Sequence, residues 1–380
     1  MMHDQLLSDI AQATRLREGI AGVETILRIV RRSDGLRVSD VAREARLPLP
    51  VTTAIRRELE KRGVFQRLNG LSLTPTGQAW VDEVLGLGAP LKFSVPPKPQ
   101  DALAPPLDAV LADLQDLLDG APRADVRLDQ APCTAETAVR RAALLYRSGA
   151  LEGRRIIMLG DDDSISLAVG LLDKAAGGRR LARRVTVLEI DPSRVAFLRR
   201  SAERRALPIE VVPHDLRDPL PRDLAGGFDT FETDPPYTLD GLRLFLSRGV
   251  EALEGGRGRG MLSFGHTAPA ERLQLQACLA ELGLATTALY PSFNRYDGAA
   301  ILGSVSELYE LTALSRHGGI GRWDGPLYTA ELRPRPRAYR CGGCGKRLVL
   351  GEAGAPPTIG VLKERGCPVC GGHTFRRAHR

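Results

Sequence analysis

Arg155-Ile156-Ile157-Met158-Leu159 is a short apolar run that reads as a buried strand, and Ile165 to Leu172 reads as a helix. Between them stands Gly160-Asp161-Asp162-Asp163-Ser164. A strand, a tight glycine turn and a helix start make the first half of a nucleotide-binding βαβ unit. The alternation continues downstream, which predicts a parallel sheet. Strands are expected at 155–159, 184–190, 209–212, 228–232 and 260–264, with helices near 164–173, 192–206, 239–254 and 270–282. Two further strands, near 284–290 and 299–313, complete the expected fold class: α/β, with a seven-stranded Rossmann-like sheet.

The glycine turn is unusual in its charge. Capping explains one Asp, since Asp at an N-cap or in a first turn stabilises a helix by about 0.5–2 kcal/mol. Three successive carboxylates repel one another and exceed what a cap needs, so the turn is read as a site for positive charge. Asp161, closest to the turn, is the expected cap, and Asp162 or Asp163 the expected general base.

Three further acids stand at strand ends. Glu189, 29 residues after Gly160, suits ribose hydroxyls, and Asp215 suits an exocyclic amine. Asp191 is expected to cap the helix after Pro192. Asp234-Pro235-Pro236-Tyr237 ends the fourth strand, where open α/β sheets place ligands. There Asp234 and the fixed Pro235 carbonyl hold an amine, and Tyr237 offers an aromatic face. His266 lies in the loop after the fifth strand, as a polar loop residue or a substrate contact.

Flanking the α/β segment are two other kinds of sequence. Residues 20–80 read as a winged helix-turn-helix. Ser39 is an expected N-cap, Asn69-Gly70 a hairpin turn, and Arg56, Arg57, Lys61 and Arg62 lie on or beside the third helix. DNA binding and a packing or dimerisation role both fit it. Prolines mark 86–106 as a linker, Leu107 to Leu118 reads as a short helix, and Thr134 caps a helix running to Tyr146. Pro334 and Pro336 mark a second linker over 333–340. Cys341-x₂-Cys344 and Cys367-x₂-Cys370 read as two zinc knuckles with 22 residues between them, and His373 as a surface residue more than a spare ligand. The expected domains are therefore 1–85, 86–120, 121–332 and 333–380.

Composition bounds the rest. No run of about 18 apolar residues appears, and the N-terminus lacks a basic region with an apolar core, so a cytoplasmic protein without membrane contact is expected. The net charge of +7 permits anionic partners without demanding them.

Asp234 to Tyr237 is similar to the [Asn/Asp]-Pro-Pro-[Tyr/Phe] motif of amino-methyltransferases, and residues 130–310 resemble the class I methyltransferase-like fold. Gly-Asp-Asp-Asp with Asp-Pro-Pro-Tyr-Thr, the N-terminal winged helix and Asp129-Gln130 ahead of a helix together resemble the branched-chain polyamine synthases of thermophiles, the N4-bis(aminopropyl)spermidine synthases. The resemblance implies transfer of aminopropyl groups from decarboxylated S-adenosylmethionine to the N4 amine of spermidine, with methylthioadenosine released. It implies catalysis by Asp161, Asp162, Asp163 and Asp234, donor contacts from Gly160, Glu189 and Asp215, and amine contacts from Asp129, Asp234, Pro235, Tyr237 and His266. The zinc reading of the tail rests on its cysteine spacing alone. A homodimer is expected, and three carboxylates argue against a nucleic-acid substrate. An S-adenosylmethionine-dependent amino-methyltransferase acting on DNA or RNA is the second reading.

Overall fold

The computed structural model describes residues 2–33, 35–87, 102–177, 180–255, 258–297, 304–314, 320–332, 337–350, 356 and 359–378. They form two compact units: one holds the N-terminal helices and residues 130–324, and the other joins 125–129 to 325–380.

The first unit begins with α1 (Met2–Ala13), α2 (Gly19–Arg32), α3 (Val38–Ala45) and α4 (Leu49–Lys61). A hairpin of β1 (Phe65–Arg67) and β2 (Leu71–Leu73) follows, then α5 (Pro75–Leu85). Asn69 and Gly70 both take positive φ, as the tight hairpin turn requires. The helices share one core in which Val23, Ile26, Leu27, Ile55 and Leu59 are fully buried. The N-cap of helix α3 falls two residues earlier than expected. Arg37 takes the cap position without a side-chain bond, and Ser39 falls inside the first turn. Most basic residues around α4 meet acids of their own module: Arg56 and Arg67 bond Glu60, and Lys61 and Arg62 bond Glu58, while the exposed Arg57 has no acidic partner among the described residues.

This module packs directly on the α/β part. Arg32 donates to the carbonyls of Tyr146 and Arg147 and stacks on the Tyr146 ring. Arg28 donates to the Glu152 carbonyl, and Arg154 pairs with Glu24. At Gly153 a Cβ would lie 1.7 Å from the Leu85 carbonyl, so only glycine allows the approach.

The α/β part comprises α6 (Leu107–Leu118), α7 (Ala135–Arg147), β3 (Arg155–Leu159), α8 (Ile165–Ala175), β4 (Arg184–Glu189), α9 (Pro192–Arg205), β5 (Ile209–Pro213) and β6 (Thr230–Thr233). It continues with α10 (Leu239–Ala252), β7 (Arg259–Gly265), α11 (Pro269–Glu281), β8 (Leu284–Arg295) and β9 (Val305–Ala313). The sheet order is β5-β4-β3-β6-β7-β9-β8; β3 to β7 run parallel, and β9 is antiparallel to both its neighbours. Strand order reverses between β3 and β6, so a crevice opens at their carboxyl ends. The expected strand near 299–313 is β9; residues 299–303 lie outside the described set. Helix α6 buries Leu107, Val110, Leu114 and Leu117 in the same core as α7, α8 and α9, so this "linker" helix belongs to the α/β layer. Of the expected linker over 86–106, residues 88–101 are not described.

The second unit carries α12 (Thr329–Leu332), β10 (Arg337–Cys341), β11 (Arg347–Leu350), α13 (Ile359–Arg365) and β12 (Phe375–Arg377). Its antiparallel sheet has the order β11-β10-β12. Residues 337–340, expected as linker, are a central strand, because β11 and β12 satisfy the backbone groups on both its sides. Among the described residues no helix is long and apolar enough to cross a membrane.

Candidate active site

The turn after β3 is shaped by Gly160, whose φ of 73° favours glycine. Ser164, at the N-cap of α8, adopts a left-handed conformation and makes no side-chain cap bond. Asp161 caps the helix in its place. Its Oδ1 accepts from Ile165 N at 2.6 Å, and its Oδ2 from the Ser166 hydroxyl at 2.5 Å. The Ser164 hydroxyl is fully buried and has no hydrogen-bond partner among the described residues.

Asp162 and Asp163 diverge. Asp163 is buried, accepts from Cys133 N at 2.6 Å and pairs with Arg141. Asp162 is half-buried; Oδ2 accepts from Ala131 N at 3.0 Å, and no donor among the described residues reaches Oδ1. Burial, then the charge of Asp163, pushes the Asp162 carboxyl up to about 7. Of the two candidates for the base, Asp163 is therefore held by a cation, and Asp162 has both the open oxygen and the matched acidity.

Arg141 is the residue that sequence reasoning misses. It is completely buried on α7, where Nη1 faces Asp163 and, at 3.6 Å, Asp234, while Nη2 faces Glu232. Burial opposes its charge, but Glu232, Asp163 and Asp234 together hold its pKa well above the ordinary value. A signal existed, since Ala138, Arg141, Ala142 and Leu145 share one helical face and the other three are apolar. Glu232, also missed, sits inside an otherwise uncharged strand.

Asp234 ends this network. Its Oδ2 accepts from the Tyr296 hydroxyl at 2.5 Å. Burial and then Asp163 push its carboxyl well up, against Arg141 and Tyr296. The aromatic role expected of Tyr237 changes: its ring packs edge-on against Phe264 at 5.2 Å, and its hydroxyl donates to Tyr296 at 3.0 Å.

The remaining candidates are dispersed. Glu189 receives Asp161 N on Oε2 and Asp191 N on Oε1, so it braces the turn through backbone donors. Asp191 caps α9 by accepting from Ser193 N. Asp215 accepts from Arg217 N in its own loop. His266 is exposed and lies 3.7 Å from Glu307. Asp129 belongs to the second unit, where it accepts from Thr329 N at 2.7 Å.

The four tail cysteines converge, with all Sγ atoms within 4.8 Å of one another. The Cys341–Cys370 and Cys344–Cys367 sulfurs are 3.5 and 3.6 Å apart. Tetrahedral zinc with bonds of about 2.3 Å needs sulfurs about 3.8 Å apart, which this cage meets with little movement. His373 instead lies 2.6 Å from the Lys363 carbonyl.

A doubly wound α/β layer with an acid-lined crevice at its switch point defines a Rossmann-like protein whose site suits cationic ligands. The family of the branched-chain polyamine synthase A C-terminal domain matches residues 110–313. An N(4)-bis(aminopropyl)spermidine synthase of Thermus thermophilus is 32% identical over 307 residues, which cover 77% of this chain and 82% of that one. The crystal structure of the Thermus thermophilus branched-chain polyamine synthase with N4-aminopropylspermidine and 5'-methylthioadenosine superposes with a TM-score of 0.53 at 29% identity, covering 86% of this chain and 96% of that one. An uncharacterised protein of Methanocaldococcus jannaschii is 33% identical over 380 residues, spanning 99% of this chain and 93% of the relative. The chain belongs to the branched-chain polyamine synthase family.

Proposed function

We propose that this chain is an aminopropyltransferase that moves aminopropyl groups from decarboxylated S-adenosylmethionine to the secondary N4 amine of spermidine, releasing methylthioadenosine. The observation that carries the reading is the charge of the crevice. Asp161, Asp162, Asp163, Glu189, Glu232 and Asp234 lie within each other's fields, and among the described residues Arg141 and Arg194 oppose them there. A donor carboxylate would be repelled, whereas an ammonium, a sulfonium and a polyamine are attracted. The unpartnered Ser164 hydroxyl offers a neutral donor to a ligand in the turn.

The amine nitrogen attacks the propyl carbon bonded to sulfur; the carbon–sulfur bond breaks and its electrons leave with methylthioadenosine. The attacking amine must be neutral, so its proton has to go to a base. Asp162 has the open oxygen for it. Asp234, oriented by Tyr296, holds the amine, and Asp161 keeps the turn in shape. Positioning supplies much of the rate in such a two-substrate reaction.

Around this core we read the tail as a structural zinc ribbon and the N-terminal module as a winged helix whose arginines serve packing more than DNA. The protein is expected to be a homodimer, which light scattering on the purified chain tests. The test of function is incubation with spermidine and either sulfonium donor, followed by mass analysis of the amine. Aminopropylated spermidine from the decarboxylated donor is expected; methylated product alone would refute the reading.

A further inference from the structure

The tail has a charge of its own. Residues 333–380 hold eleven basic residues against two acidic ones, while residues 1–332 hold 42 against 44. The chain's positive charge therefore resides wholly in the tail. Four thiolates around one zinc ion would remove only two of these charges.

The sheet of the tail arranges this charge in a row. Arg340 in β10 is directly opposite Arg347 in β11 and directly opposite Arg376 in β12. Residues directly opposite share a face, so three arginines cross the sheet side by side, spanning about 10 Å at the usual strand spacing. All three are exposed, and none has an acidic partner among the described residues. Lys346 and Arg377, the chain neighbours of two of them, are exposed as well. Like charges directly opposite destabilise a sheet. The contrast with the N-terminal module is sharp, because there Arg56, Lys61, Arg62 and Arg67 are each tied to Glu58 or Glu60. An unpaired row of guanidinium forks on a sheet face matches a polymer of evenly spaced phosphates. It repels polyamines, so it is no part of substrate capture.

We propose that the Arg347–Arg340–Arg376 row is a binding surface for the phosphate backbone of nucleic acid. The acidic crevice excludes nucleic acid as a substrate; the tail binds it as a partner. Contact is to phosphates, so affinity is independent of sequence and steeply dependent on salt.

The test uses the full-length, zinc-loaded chain and a fluorescein-labelled 20-nucleotide RNA of mixed sequence, read by anisotropy from 50 to 300 mM salt. A DNA duplex of the same length tells which backbone is preferred. The wild-type chain should bind with a steep salt slope. The triple variant Arg340→Gln/Arg347→Gln/Arg376→Gln should bind at least tenfold more weakly, with the slope reduced by about 2 for three lost phosphate contacts on a single strand. The matching triple Lys variant should keep the slope, which separates charge from folding. Zinc content and spermidine turnover should stay at wild-type levels in both variants. No RNA binding at 50 mM salt, an unchanged slope in a Gln variant that retains zinc, or capture of phosphatidylglycerol vesicles without RNA binding would each overturn the proposal.

Discussion

The Tyr296 hydroxyl donates to Asp234 Oδ2 at 2.5 Å, and that one bond joins the end of β8 to the end of β6, two strands that β7 and β9 separate in the sheet. Tyr296 is itself held by Tyr237 and by Ser306, whose Oγ lies 2.7 Å from its hydroxyl. Burial and then Asp234 keep its own proton on well above the ordinary range, so it donates to Asp234 while accepting from Tyr237.

Tyr296→Phe should therefore fold normally and lose substrate affinity. A hydrogen bond to a charged group contributes about 1.5–3 kcal/mol, so KM for spermidine should rise roughly 10- to 100-fold, with a smaller change in kcat. The pH dependence of KM for spermidine should also move upward, because the lost bond lowered the Asp234 pKa. Unchanged KM and pH profile would remove Asp234 from amine binding.

Asp162→Asn tests the base. Turnover should fall on the order of 10²–10⁴, and the wild-type acid limb should lie near pH 7, where Asp162 titrates. Stability should move the other way. The folded pKa is raised above the unfolded value, so the contribution of Asp162 is favourable below about pH 4 and is lost as pH rises through 7. At pH 8 the Asn variant should melt at least about 2 °C above wild type, and at pH 4 the gain should vanish. Differential scanning calorimetry at the two pH values decides this.

Arg141→Met should be among the most damaging substitutions in the chain. It leaves Asp163, Glu232 and Asp234 buried without their cation, a loss of about 3–5 kcal/mol. The deficit should shrink toward acid pH, where carboxylates with raised pKa values take up protons in the folded state. Melting temperatures of variant and wild type that stay parallel from pH 5 to pH 8 would contradict the network.

The tail should carry about one zinc per chain, measurable in protein never exposed to chelator. Cys341→Ser should abolish stoichiometric zinc and expose the tail to protease, while the melting of the sheet stays near wild type. That independence follows from the separate compact units, since no described tail residue belongs to the core of the sheet.

Much of this was legible in order along the chain. The short apolar runs and glycine punctuation located the strands of the sheet, β3 to β7 because buried parallel strands are continuous apolar runs. Cysteine spacing located the knuckles for a similar reason: two residues between thiols is a local geometry. Asp161 as cap was legible too, since a cap acts within one helical turn. What the sequence could not show was pairing over distance. Arg141 stands 22 residues from Asp163 and 91 from Glu232, and only the packing of α7 on α8 and the β3–β6 neighbourhood brings the three together. The split between Asp162 and Asp163 followed from that packing, because a buried guanidinium can satisfy one carboxylate of a turn while its neighbour points elsewhere. Asp129 shows the same limit: one residue from Gln130 in sequence, it bonds the backbone of Thr329, 200 residues further on. Residue types and local periods fix which elements form and what charge a turn carries. Which charges meet is decided by tertiary contacts, whose energies depend on burial that no short window of sequence contains.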